Sequence, residues 1–248
     1  MPAMTITTPP CCSLPEDHWP FALRLPGAVL YSSRFDPALL TAADFRAAGI
    51  KAPATVQRSV AKRQAEYLAG RLCARAALQQ LNAAGHLGLA ACNAPGLGDD
   101  RAPVWPGGVT GAITHSNGWA AAIVAPTTTW RGLGLDSETL LPSARAERLA
   151  KEILNAGELQ QMAALAPAQR AQRITLTFSI KESLFKALYP LVLKRFYFEH
   201  AEVLDWDERG HARLRLLTDL SCEFHHGVEF SGQFAIDEGR VLTLVYLP

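Results

Sequence analysis

Two lysines and a glutamate lie within two turns of one another in Phe178-Ser179-Ile180-Lys181-Glu182-Ser183-Leu184-Phe185-Lys186-Ala187-Leu188-Tyr189-Pro190. The stretch reads as the end of a helix stopped by Pro190, because proline has no N–H to donate and cannot continue a helix. At about 100° per residue, Lys181 falls inside an apolar arc with Ile174, Phe185 and Leu188. Glu182 sits on the edge of that arc, and Lys186 follows one turn later. Ile180 and Leu184 form a second apolar strip, so the helix is mostly buried and its charges must be paired or used. An ordinary surface Glu182–Lys186 pair at i,i+4 is the plainer alternative.

Asp136 and Glu138 stand two apart in Trp130-Arg131-Gly132-Leu133-Gly134-Leu135-Asp136-Ser137-Glu138, which reads as a strand. Both side chains then point to one side. Two adjacent carboxylates repel unless a cation lies between them, and Mg²⁺ is commonly held by one or two carboxylates plus substrate phosphates. A solvated strand face is the other reading of Asp-x-Glu. With Glu182 added, a three-carboxylate site becomes possible, and Lys181 and Lys186 suit a diphosphate. Further basic groups come from an earlier helix. Arg63 and Arg71, eight residues apart, share a side, joined by Lys62 and Arg75. His115 stands just before a turn. The plain alternatives are an exposed helix face and a solvated turn histidine.

These groups need elements to hold them. Ala28 to Phe35 is a strand candidate. A long helix is expected from about Val56 to Leu81, with Ala61, Ala65, Leu68, Leu72 and Ala76 on one seam. Gly85 to Asp100 is a connection. Asn117-Gly118 between residues 111–116 and 119–124 signals a hairpin, because both turn residues tolerate positive φ. After a break at Pro126-Thr127-Thr128-Thr129 come the 130–138 strand, helical segments over 143–166 and a long helix over 168–189. Strands follow at 200–206, 211–217, 228–236 and 240–247. Each half thus runs strand, long helix, hairpin. The fold class is α+β, two similar halves at 1–129 and 130–248, each a small antiparallel sheet packed against a long helix. Residues 1–20, with five prolines, read as a loose or surface-hugging arm.

With 24 basic against 23 acidic residues, the net charge of +1 gives no support for bulk electrostatic binding to nucleic acid or membrane. Five cysteines without metal-type spacing suit a reducing compartment rather than a disulfide framework. No signal-peptide pattern and no membrane-length apolar run is visible. The expectation is a cytoplasmic monomer.

Several stretches, in order, carry a resemblance: Lys62-Arg63-Gln64-Ala65-Glu66-Tyr67-Leu68-Ala69-Gly70-Arg71, Pro103-Val104-Trp105-Pro106 with Gly111-Ala112-Ile113-Thr114-His115-Ser116, Gly134-Leu135-Asp136-Ser137-Glu138, and Phe178 to Ala187. Together they resemble the 4′-phosphopantetheinyl transferases of the larger, single-chain pseudodimer type (Sfp-type, especially the enterobactin-synthesis branch). Ser137 stands where that family more often has Ile or Ala, and Ala112 and Thr114 where serines are usual. The resemblance implies transfer of 4′-phosphopantetheine from coenzyme A to a serine of an acyl or peptidyl carrier protein, with release of adenosine 3′,5′-bisphosphate, in fatty-acid, polyketide or siderophore synthesis. It implies Asp136, Glu138 and Glu182 on Mg²⁺, with Ser137 or a water completing the shell. Glu182, or a metal-bound water, would be the base. Lys186 would bind the attacked phosphate and Lys181 would position the diphosphate. Arg63, Arg71 and His115 would take the coenzyme A phosphates, mainly the 3′-phosphate, in a site between the halves. A non-catalytic coenzyme A or nucleotide-binding module is the alternative. An acyltransferase acting on thioesters would leave the carboxylates unexplained.

Overall fold

The structure is a computed structural model that describes residues 8–85 and 93–248. Residues 86–92 of the expected 85–100 connection, Cys92 among them, and the first seven residues of the arm lie outside the described residues. The chain divides into two compact units. One comprises the described part of residues 1–19 with Pro26–Thr128; the other comprises Pro20–Leu25 with Thr129–Pro248.

The first unit contains β1 (Glu16–Asp17), β2 (Val29–Arg34), two single-turn helices α1 (Asp44–Ala47) and α2 (Ala54–Gln57), and the 23-residue α3 (Ala61–Ala83). A two-residue ladder follows, β3 (Gly96–Leu97) with β4 (Pro103–Val104), and then the hairpin β5 (Val109–Ser116) and β6 (Trp119–Pro126). The sheet order is β1-β2-β6-β5, antiparallel throughout. The hairpin turns on Asn117 and Gly118, both at positive φ, as its strand twist demands. α3 begins later than its periodicity suggests. Val60 is extended, and the Gln64 amide donates to the Gln57 and Ser59 carbonyls, so the chain breaks between α2 and α3. Ala61 is exposed, whereas Leu68, Ala69, Leu72, Cys73 and Leu78 are buried.

The second unit holds β7 (Gly132–Thr139), α4 (Ser143–Ile153), α5 (Ala156–Met162), α6 (Pro167–Val192), a 3-10 turn at Phe198–His200, and strands β8 (Ala201–Trp206), β9 (His211–Leu216), β10 (Glu229–Asp237) and β11 (Arg240–Leu247). Its sheet order is β7-β11-β10-β9-β8. Thus β7, α6 and the β10–β11 hairpin repeat the connectivity of β2, α3 and the β5–β6 hairpin. Ile180, Leu184 and Leu188 of α6 pack against Leu214, Leu216 and Val245. Each such fully buried aliphatic side chain contributes about 1.5–3 kcal/mol.

One expectation is corrected. α6 does not stop at Pro190. It runs to Val192 and closes on Leu193, whose N–H donates to Tyr189 O at 2.8 Å. Proline forfeits one hydrogen bond, and in an exposed last turn the remaining bonds carry the helix two residues further. Of the two readings of the arm, loose or surface-hugging, the described part follows the second. Cys11 and Cys12 are buried, and Glu16 and Asp17 pair with Ser32 and Tyr31. Farther on, Leu23 exchanges two hydrogen bonds with the buried Gln233 side chain of β10, at 2.7 and 3.0 Å.

Candidate functional site

Strand alternation places Gly132, Gly134, Asp136 and Glu138 on one face of β7. The two glycines fix where α6 lies. A Cβ at Gly134 would overlap the Ser183 carbonyl oxygen, and one at Gly132 would come within 2.7 Å of Ala187 O. Backbone therefore lies against backbone at this end of β7, and the next residue on that face, Asp136, is delivered directly to α6. Ser137 alternates onto the other face, fully buried, so its hydroxyl points away from Asp136 and Glu138.

Asp136 is 5% exposed and its two oxygens are taken by α6. Lys186 Nζ donates to Oδ1 at 2.7 Å and to Leu135 O at 3.0 Å. Ser179 Oγ donates to Oδ2 at 2.9 Å and lies 2.9 Å from Thr243 Oγ1, which Ser183 Oγ also meets at 2.8 Å. Thr243 is the β11 residue opposite Asp136. The lysine expected to pair with Glu182 along the helix is drawn across to the strand instead. Ser179, Ser183 and Thr243 were not singled out from sequence. Their one signal is the i,i+4 spacing of two serines on the helix side facing the glycine strand.

Burial and the negative charge of Asp136, with a further contribution from Glu182, push the Glu138 carboxyl from an ordinary 4.5 up to about 7, against the pull of Lys186 and Arg145. Glu182 is also raised, first by burial, with Lys186 opposing and Asp136 adding. The three carboxylates therefore feel one another and one lysine. Carboxylates held above their ordinary range are groups that a cation would relieve, and hard oxygen donors are what a divalent cation such as Mg²⁺ takes. No cage of three His, Cys, Asp or Glu side chains is gathered among the described residues. An ion completing its shell with phosphates and water does not require one.

Beside Glu182 lies a cavity of about 170 Å³, walled by Phe185, Arg195, Phe196, Tyr197 and Phe198. Lys181 borders it but does not offer its charge there. Its side chain is almost wholly buried, and Nζ donates to Glu158 Oε2 at 2.7 Å and to the carbonyls of Ile153 and Phe198 at 3.0 Å each. An ammonium has three protons, so the expected diphosphate contact of Lys181 is corrected: its three donors are spent on joining α4, α5 and the 3-10 turn to α6. Glu158 was missed from sequence, although Asn155-x-x-Glu158 is a capping-box spacing.

In the first unit, Arg63 Nη1 lies 2.8 Å from His115 Nε2. A guanidinium only donates, so Nε2 accepts and the ring proton sits on Nδ1, 3.6 Å from Glu66 Oε2. Glu66 is also 3.6 Å from Arg63. This partly exposed fork can meet an anion. Arg71 departs from expectation. It is 5% exposed, stacks over Tyr67 with Cζ 4.4 Å from the ring centroid, and donates to the Pro95 and Gly96 carbonyls at 2.9 and 3.1 Å. Burial lowers its pKa, with Tyr67 opposing. Arg71 is thus committed to holding the 95–96 segment, and Arg75 likewise donates to Ala48 O at 2.5 Å. Neither belongs to an exposed basic face; of the four cations expected there, Arg63 and Lys62 are exposed.

The family model of the 4′-phosphopantetheinyl transferase N-terminal domain matches residues 51–125, and that of the 4′-phosphopantetheinyl transferase superfamily matches residues 132–245. The 4′-phosphopantetheinyl transferase Svp of Streptomyces mobaraensis is 36% identical over 197 residues, covering 77% of this chain and 75% of that protein. The 4′-phosphopantetheinyl transferase PptT of Mycobacterium tuberculosis is 30% identical over 201 residues, covering 77% and 82%. Enterobactin synthase component D of Salmonella typhimurium is 37% identical over 127 residues, covering 51% and 48%.

Proposed function

From the premise that the chain belongs to the 4′-phosphopantetheinyl transferase superfamily, we propose that Asp136, Glu138, Glu182 and Lys186 form the centre at which it works. The chain is an enzyme that transfers 4′-phosphopantetheine from coenzyme A to carrier proteins. The observation that carries the assignment is the meeting of β7 and α6. There a buried Asp136 is bonded to Lys186, while Glu138 and Glu182, both raised, lie in their field.

The product keeps the phosphate attached to pantetheine, so the serine oxygen attacks that phosphorus. Its bond to the second phosphate breaks, and adenosine 3′,5′-bisphosphate leaves. Glu182 takes the serine proton, and burial, by raising its pKa, makes the carboxylate a stronger base. Lys186, anchored through Asp136 and Leu135 O, directs its charge at the phosphate under attack. Asp136, Glu138 and Glu182 would hold Mg²⁺, which would supply positive charge to neutralise the diphosphate oxygens. Arg63 and His115 take the 3′-phosphate, for which a guanidinium fork is suited. No helix among the described residues is long and apolar enough to cross a membrane. The reading extends to a cytoplasmic enzyme that meets carriers of siderophore or fatty-acid synthesis as a monomer.

The test is to incubate the protein with coenzyme A, Mg²⁺ and an apo carrier protein, and to weigh the carrier. The carrier is expected to gain the phosphopantetheine mass, and both chelator and Asp136→Ala are expected to prevent the gain. Coenzyme A binding without any gain in mass would instead support a non-catalytic binding module.

A further inference from the structure

We propose that the segment leaving α6, Leu191 to Tyr197, is the surface on which an acidic, apolar-faced stretch of the carrier protein docks to bring its serine to Glu182. The inference rests on the transfer reading above and adds the partner's footprint. Three exposed large apolar side chains fall within these seven residues: Leu191 at 38%, Leu193 at 73% and Tyr197 at 63%. Elsewhere such side chains are scattered singly along the chain, at Leu14, Leu23, Leu39, Val60, Val104 and Ile236. A clustered apolar surface marks an interaction site, where scattered residues do not.

The backbone gives a second reason. Leu193 closes α6 at φ 52, ψ 25, the left-handed region in which glycine is the usual helix terminator. A leucine here accepts an unfavoured conformation and points an apolar side chain at water, where a glycine would end the helix without either penalty.

Charge gives the third. Lys194 and Arg195 are adjacent and exposed, and neither forms an ion pair among the described residues. On the same unit Arg131 pairs with Glu223, Arg213 with Asp205 and Glu229, and Arg215 with Glu202 and Glu229. Arg145, Arg148, Lys151 and Arg209 of this unit are likewise exposed and form no ion pair among the described residues, so charge alone does not mark the segment; the combination of exposed cations with clustered apolar side chains does, and its complement is acidic and apolar. Arg195 and Tyr197 also wall the cavity that Glu182 borders, so a partner seated here has its serine beside the proposed base.

The variants are Lys194→Glu with Arg195→Glu, and separately Leu193→Gly, which removes the side chain while suiting the positive φ. Binding to the full chain is measured without coenzyme A, using recombinant apo acyl carrier protein and apo peptidyl carrier protein. KM for each substrate is measured alongside. Charge reversal is expected to weaken carrier binding and raise carrier KM about tenfold, more at low salt, with the KM for coenzyme A within about twofold. Leu193→Gly is expected to weaken carrier binding with no loss of thermal stability. The proposal is overturned if the parent binds neither carrier, if both variants bind as the parent does, or if the KM for coenzyme A rises instead. A parent that binds carrier through this surface but adds no mass to it would uphold the docking surface and remove the transfer reading.

Discussion

Replacing Lys181 with methionine separates a substrate-binding lysine from one that holds the site's surroundings together. The structure puts its ammonium on three acceptors, Glu158 Oε2, Ile153 O and Phe198 O, with 3% of the residue exposed. Glu158 is equally buried and would keep only the backbone N–H groups of Asn155 and Val203, each at 2.9 Å. Removing one partner of a buried ion pair costs about 3–5 kcal/mol, because the other charge stays buried. For a chain of this size that corresponds to a fall of about 10 °C in the melting temperature. Removing both charges is cheaper than leaving one buried and alone, so Lys181→Met with Glu158→Gln, which keeps an acceptor for the Asn155 or Val203 N–H, should recover part of the loss. The assay is thermal melting of parent, both single variants and the double variant, with the KM for coenzyme A measured on the variants that fold. The reasoning is refuted if Lys181→Met melts within about 1 °C of the parent while its KM for coenzyme A rises sharply. That outcome would return Lys181 to the diphosphate.

Two further outcomes are expected. Glu138 titrates near 7 in the folded protein against 4.5 as its ordinary value, so the unfolded chain releases this proton first as pH rises. The contribution to stability is complete below about 4.5 and lost by about 7; at about 1.4 kcal/mol per unit, discounted for partial exposure, it amounts to about 1–2 kcal/mol. Glu138→Gln should flatten that part of the metal-free stability profile, and an unchanged slope in denaturant titrations across pH 4.5–7 would count against the shared field. Gly134→Ala places a methyl on the Ser183 carbonyl and should cost about 3 kcal/mol together with most of the turnover, whereas Gly107→Ala, with open space around it, should melt like the parent.

What could be read from the chain and what could not follow from the range of the interactions. The hairpin at Asn117-Gly118 and the alternation of the last four strands are local, and the structure realises them within a residue or two. Asp136 and Glu138 were legible as a pair because period-two alternation is also local. Lys181 was legible as buried, since it fell inside the apolar arc of its helix. Its partner was not, because Glu158 lies 23 residues away on a short helix whose cap and ion pair share one carboxylate. Arg71 fails for a similar reason. Helical spacing puts it near Arg63, but carbonyls at 95 and 96, reached only through the fold, claim its donors. Pro190 misled in the other direction, since the rule for helix interiors loses force in a final exposed turn.

The same glycines explain why one lysine of the helix stays partly exposed and the other does not. Because Gly132 and Gly134 carry no side chains, α6 meets β7 backbone to backbone at Ser183 and Ala187. That contact sets both the height and the rotation of the helix. Lys186, one residue before Ala187, then reaches the Asp136 carboxylate and the Leu135 carbonyl but remains partly exposed, its side chain 27% accessible. Lys181, five residues earlier and so about 140° further round, is turned into the layer formed by α5 and the 3-10 turn, where its side chain is 2% accessible. A phosphate can approach the first ammonium and displace part of its pairing. It cannot approach the second without first opening the contacts that join α4, α5 and the 3-10 turn to α6. The spacing Gly-x-Gly-x-Asp-x-Glu on one strand, set against Lys-Glu-x-x-x-Lys on one helix, therefore assigns the two lysines to different work before any ligand is considered.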